Sequence, residues 1–186
     1  MWFRKAVSDP LAVTMTGVKL GDRVIVAGLG DTKMIAALAA KAGLTGSAVV
    51  IDADVARLRA GVAEIEREGG LVETTHAPLA SAWPYDDGRF DVAVLHDVLR
   101  GLRAADLSIC LREVFRILRA GGRAIVIDGT PQRGLAALVS RPANRHSYAA
   151  GGDAVGALKA AGFAAVRLLA EQDGVVFTEG AKRSSP

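Results

Sequence analysis

Short apolar runs alternate with amphipathic stretches along this chain, a pattern that predicts βαβ units around a parallel sheet. The first run is Arg23-Val-Ile-Val-Ala-Gly28, in which β-branched residues enter a glycine turn. A helix is expected from about Asp31 to Ala42, with Asp31 or Thr32 to cap its start and Gly43 to end it. Ala48-Val-Val-Ile-Asp52 reads as a second buried strand that finishes on a carboxylate. Beyond it Val55, Leu58, Val62 and Ile65 fall on one helical face, until Gly69-Gly70 break the pattern.

Leu71 to Thr75 is expected as a third strand and Phe90 to Leu95 as a fourth. A helix from about Asp106 to Arg119 would bury Leu107, Cys110, Leu111, Val114, Ile117 and Leu118. Arg112, Glu113, Arg116 and Arg119 then fall on the opposite face, solvated or paired with nearby acids. Gly121-Gly122 should turn the chain into a fifth strand, Ala124 to Asp128. A less regular connection, Gly129 to Gly152, leads to a short helix near Asp153 to Ala161. Ala165 to Ala170 and Val175 to Thr178 flank Asp173-Gly174 and predict a closing hairpin. The expected fold class is α/β: a single doubly wound, Rossmann-like, seven-stranded sheet, mostly parallel with an antiparallel C-terminal hairpin.

Composition narrows the reading. The 186 residues suit one mid-sized domain, and 51% hydrophobic content is too high for a disordered chain. The single cysteine, Cys110, excludes an intramolecular disulfide framework and a Cys-rich zinc module, and no metal site is expected. Lys and Arg (23) nearly balance Asp and Glu (20), and aromatics make up only 5%, so a nucleic-acid partner is disfavoured. Met34 to Ala40, the most apolar helix-like stretch, is far short of the roughly 20 residues a membrane span needs. Arg4 and Lys5 are followed by Ser8, Asp9 and Pro10, where a signal peptide would carry an apolar region. The expected location is the cytoplasm and the expected partner a small-molecule substrate, with a homodimer left open.

In doubly wound sheets the ligand sits outside the carboxyl ends of the strands, beside the first of them. The residues there are Gly28-Leu-Gly-Asp-Thr32. Glycines at 28 and 30 allow a tight turn and a close backbone approach, and the helix that follows offers unpaired N–H groups to an anion. Asp52 ends the next strand 22 residues beyond Gly30, where an acid can accept ribose hydroxyls or cap the next helix. Asp54 is the better placed cap, which frees Asp52. Lys33 stands where a dinucleotide fingerprint needs its third glycine, so NAD is disfavoured. No G-x-x-x-x-G-K-[ST] occurs, so the ATP P-loop is absent.

These motifs carry a family resemblance. Val24-Ile-Val-Ala-Gly-Leu-Gly-Asp-Thr32 resembles the first motif of class I S-adenosylmethionine-dependent methyltransferases, and Val49-Val-Ile-Asp52 their second. Trp83-Pro-Tyr-Asp-Asp-Gly-Arg-Phe-Asp91 resembles the segment leading into their fourth strand. Leu111-Arg-Glu-Val-Phe-Arg-Ile-Leu-Arg-Ala-Gly-Gly-Arg123 resembles the helix and turn into their fifth. The likeness runs from about Leu20 to Ile127 and is nearest in flavour to the ubiquinone/menaquinone-biosynthesis type (methyltransferase type 11). It implies S-adenosyl-L-methionine as cofactor, with Gly28, Gly30 and Asp31 at its methionine part. Asp52, with Ala53 beside it, would take the ribose, and Pro78 and Leu79 the adenine. It also implies an N-terminal segment over 1–20 with a short helix, a methyltransferase-like domain over 20–180 and a frayed tail over 181–186.

The departures are specific. Val26 replaces an acid in the first strand, Thr32 replaces the last glycine of the motif, and His76-Ala-Pro-Leu79 lacks the acid expected after the third strand. Asp31 is placed either to compensate for Val26 or only to cap its helix. His96 and Asp97, at the carboxyl edge of the fourth strand, are the catalytic candidates, with a polar loop as the bland alternative. His146, Tyr148, Arg141 and Arg145 could present a phenol and cations to an acceptor from the later connection. Two functions follow: methyl transfer to a small aromatic or quinone-like molecule, or a degenerate member acting as an interaction or regulatory module.

Overall fold

A computed structural model describes residues 10–129 and 154–184. Arg141, Arg145, His146, Tyr148 and Asp153 lie outside the described residues. The elements run α1 (Leu11–Thr16), β1 (Arg23–Ala27), α2 (Thr32–Ala42), β2 (Ser47–Asp52), α3 (Val55–Arg67) and β3 (Glu73–His76). There follow β4 (Phe90–His96), a 3-10 turn (Leu99–Gly101), α4 (Ala104–Ile117) and β5 (Leu118–Gly129). After the connection come α5 (Ala154–Ala160), β6 (Ala164–Gln172) and β7 (Val175–Ala181).

The seven strands form one sheet in the order β3-β2-β1-β4-β5-β7-β6. Pairing is parallel from β3 through β5 and antiparallel where β7 meets β5 and β6. The expected α/β sheet with its closing hairpin is therefore present. Order reverses between β1 and β4, which sets a crevice beside the carboxyl end of β1.

Strand alternation sends side chains to two separate cores. Val24 and Val26 of β1 pack with Met34, Ile35 and Leu38 of α2 and Leu58 and Ile65 of α3. Ile25 and Ala27 face the other way, with Cys110, Leu111, Val114 and Ile117 of α4. Each fully buried branched side chain contributes about 1.5–3 kcal/mol, so both layers hold the sheet firmly. The strand carrying the turn is locked from both faces.

Several details depart from expectation. β3 begins at Glu73 because Leu71 is exposed and only Glu73 to His76 register against Val49 to Asp52. α3 buries Leu58, Gly61 and Ile65, while Val55 faces solvent. α4 starts two residues early, at Ala104, with no side-chain cap. Gly121-Gly122 do not precede β5 but lie within it, where the register against β4 shifts between Phe90 and Val92. Lys182 extends the β7 pairing past Ala181, its N–H on Gly122 O at 2.8 Å and its carbonyl accepting from Gly121 N–H at 3.0 Å. Its Nζ meets Phe115 O at 2.8 Å and Leu118 O at 2.7 Å.

Candidate functional site

The turn after β1 is held at Gly28, Leu29 and Asp31. Gly28 adopts φ +83°, a conformation L side chains resist, and an added Cβ would meet Val98 Cγ2 at 2.6 Å. Its N–H reaches Ile51 O at 2.8 Å. Leu29 N–H donates to Asp52 Oδ2 at 2.8 Å, and Leu29 O accepts from Arg57 Nη2 at 2.7 Å. A Cβ on Gly30 would lie 2.5 Å from His96 Nδ1, so the imidazole packs directly over the second glycine. Gly28 is required by its backbone conformation, and a side chain at position 30 would displace the His96 ring.

Asp31 resolves as a cap: its Oδ1 accepts from Lys33 N–H at 3.0 Å and Met34 N–H at 3.1 Å at the start of α2. Asp54 caps α3 in the same way, through Ala56 N–H at 2.8 Å and Arg57 N–H at 3.1 Å. Asp52 is therefore not the helix cap. Its carboxylate is nearly buried, with Oδ1 accepting from Asp54 N–H at 2.9 Å and Arg57 Nη1 3.7 Å from Oδ2. Such a buried acid is stable because two backbone amides and a cation satisfy it.

The segment after β3 is drawn to the end of β2 at its start. Ala53 is exposed, and its carbonyl lies 3.0 Å from His76 Nε2. Ala77 N–H donates to Asp52 O at 3.1 Å, which draws the start of the Ala77–Leu79 segment to the end of β2. Pro78 is exposed and its carbonyl accepts from Ser81 Oγ at 2.7 Å. Leu79 is half-buried against the α4-side core. Val26 points into the α2-side core and is 1% exposed.

At the end of β4, His96 Nδ1 lies 3.4 Å from Asp31 N–H and Nε2 lies 3.7 Å from Asp97 Oδ2. Asp97 takes φ +54° and its other oxygen accepts from Gly129 N–H at 2.9 Å, tying β4 to the end of β5. Arg100 faces the buried Asp128 across 4.0 Å on the same edge. An open depression of about 530 Å³ lined by Trp83, Tyr85, Arg89 and Arg116 holds none of the expected cofactor residues. Among the described residues no group of three or more His, Cys, Asp or Glu could hold a metal.

A methyltransferase domain model matches residues 25–126, a span that holds the turn, Asp52 and the β4 edge. The chain belongs to the methyltransferase domain family. Distant relatives of the chain include the ubiquinone/menaquinone biosynthesis C-methyltransferases UbiE of Xylella fastidiosa, 32% identical over 119 residues, and of Vibrio campbellii, 30% identical over 118. The matched region is 62% of this chain and 46% of the Xylella protein, so the chain spans about half the length of the curated relatives it matches. A SAM-dependent methyltransferase from Aquifex aeolicus superposes with a TM-score of 0.74 at 18% identity, over 92% of this chain and 87% of that one. The [4+2]-cyclase SpnF superposes with a TM-score of 0.67 at 16% identity, over 94% and 79%. At those identities the likeness establishes the fold.

Two residues of the site escaped the sequence reading. Neither Arg57 nor Gly61 is singled out by the apolar periodicity of α3. Both act through Leu29: an added Cβ at Gly61 would lie 2.1 Å from Leu29 Cδ2. A glycine inside a helical pattern, facing the neighbouring turn, was the available clue.

Proposed function

We propose that this methyltransferase domain binds S-adenosylmethionine across the Gly28–Gly30 turn and transfers its methyl group to a small aromatic or quinone-like acceptor. The observation that carries the reading is the pairing of two recognition elements at the switch point. One is the turn, where Gly30 N–H takes no partner among the described residues and the α2 N-terminus follows. The other is Asp52, whose oxygens each keep acceptor capacity beyond the single backbone N–H they receive. A carboxylate suits the first and vicinal hydroxyls the second, and one molecule of the proposed cofactor carries both.

When bound, the cofactor supplies an electrophilic methyl group on a sulfonium, so the protein's work is alignment and exclusion of water. Gly28 and Gly30 would admit the methionine moiety close to backbone. Asp52 and Ala53 would meet the ribose, and Pro78 and Leu79 the adenine. Asp31 would lend its Oδ2, which takes no partner among the described residues, to the ammonium. His96 would take an acceptor proton once its ring leaves the Asp31 amide, with Asp97 holding the resulting cation. The names of the UbiE relatives favour a carbon nucleophile on a quinone-like ring.

Val26 favours a second reading, a family member that keeps the fold and grips the cofactor weakly. Its apolar side chain leaves β1 with no carboxylate for the ammonium, and one missing charge-assisted bond costs about 1.5–3 kcal/mol. Calorimetry separates the two readings. Micromolar binding of S-adenosylhomocysteine, lost in Asp52→Ala, supports the enzyme; no binding at millimolar ligand sinks it.

A further inference from the structure

The peptide between the two turn glycines is held by two side chains on opposite sides of one residue. Leu29 N–H donates to Asp52 and Leu29 O accepts from Arg57 Nη2 at 2.7 Å. No cis peptide occurs among the described residues, so Leu29 C=O and Gly30 N–H point in opposite directions. Arg57 draws the carbonyl toward α3. The Gly30 N–H is thereby turned away from α3, and it takes no protein partner among the described residues.

We propose that Arg57 is a positioning residue for the carboxylate of the cofactor's methionine moiety, acting through the Leu29–Gly30 peptide to aim the Gly30 N–H at that carboxylate. The inference rests on the cofactor reading above. Glycine at 30 leaves this peptide free to rotate, so an external grip is needed to hold one orientation. Arg57 is built for that grip. Asp54 Oδ1 accepts its backbone N–H, which fixes the root of the side chain on the first turn of α3. The planar fork then spans two acceptors, Leu29 O at 2.7 Å and Asp52 Oδ2 at 3.7 Å. Pulling on the carbonyl and countering the acid that holds the N–H makes Leu29 rigid from both sides.

The experiment compares two ligands by calorimetry, S-adenosylhomocysteine, which has the carboxylate, and adenosine, which lacks it. Arg57→Met keeps the aliphatic stem, and because the side chain is 55% exposed the fold should tolerate the change. Thermal unfolding checks that it does. Expected is a loss of about five- to tenfold in affinity for S-adenosylhomocysteine with adenosine unchanged, and only partial recovery in Arg57→Lys, which can donate to Leu29 O but cannot span both acceptors. The Gly30 amide resonance of the wild type should shift on titration with S-adenosylhomocysteine and stay still with adenosine. Parallel weakening of both ligands would overturn the proposal, placing the action of Arg57 on Asp52. Unchanged or tighter binding of S-adenosylhomocysteine would overturn it as well, leaving Arg57 a bystander or a cover. A wild type that binds neither ligand would sink the cofactor reading itself, and this inference with it.

Discussion

Leu29 packs into the notch that Gly61 leaves on α3, where an added Cβ would lie 2.1 Å from Leu29 Cδ2 and 2.8 Å from Cγ. The turn after β1 is therefore seated on α3, the helix that follows Asp52. Gly61→Ala sets two effects against each other. Alanine improves helix propensity by about 1 kcal/mol, while overpacking costs about 1–3 kcal/mol. The clash reaches Cγ as well as the side-chain tip, so the overpacking term wins. The variant should unfold at lower urea and bind S-adenosylhomocysteine more weakly, and Leu29→Ala in the same chain should restore part of its stability. A Gly61→Ala variant more stable than wild type would show that Leu29 has room to move.

Cys110, on α4, is fully buried against the sheet. Burial, followed by the neighbouring Glu113 charge, pushes its thiol up to about 12, so almost no thiolate exists near neutral pH. A disulfide reagent should label the native protein only as fast as the helix opens, and quantitatively in denaturant. A rapid native phase at pH 7 would contradict this packing.

The strands and the turn were legible because local rules dictate them. Arg23 to Ala27 is apolar and β-branched, Gly28 needs positive φ, and Asp52 ends a strand at the edge where ligands bind. The contacts that set the site were not legible, because they join positions far apart in the chain. Arg57 meets Leu29 O from 28 residues away, and His96 lies over Gly30 only because β4 inserts beside β1. The misplaced edges share one cause. Leu71 looks like a strand residue by type, yet register against β2 begins only at Glu73, and Gly121-Gly122 look like a turn, yet Lys182 pairs with them as strand.

Asp91 ties three strands together at the amino end of the sheet. Its Oδ2 accepts from Arg23 N–H at 2.7 Å, and its Oδ1 pairs with Arg119. Burial alone would raise this carboxyl, but the bonds from Arg119 and Arg23 outweigh it and hold it below the usual range. Glu113 is likewise lowered, first by its bond from Arg116, against a smaller upward push from burial. A carboxylate depressed in the folded state stabilises fully above the unfolded value, about 4, and that stability is lost as pH falls through the folded value. The urea midpoint should therefore fall as pH drops below about 4, with a shallower decline in Asp91→Asn. An equal decline in the variant would remove Asp91 from the acid response.

Asp97 has two separable features, a tether and a charge. Its Oδ1 holds Gly129 N–H at 2.9 Å, and its Oδ2 lies 3.7 Å from His96 Nε2, with the backbone at φ +54°. Asparagine tolerates that φ and keeps an oxygen for Gly129, so Asp97→Asn should stay within about 0.5 kcal/mol of wild-type stability. Asp97→Ala loses the hydrogen bond and places a Cβ in left-handed backbone without local support, which together cost about 1.5–3 kcal/mol. If His96 takes a proton from the acceptor with Asp97 behind it, Asp97→Asn lowers kcat about 10- to 100-fold and leaves S-adenosylhomocysteine binding intact. His96→Asn should then match that loss, and the double variant should add little to it, because the two groups act as one unit. Full activity in Asp97→Asn, alongside low stability in Asp97→Ala, would reduce Asp97 to the strap between β4 and β5.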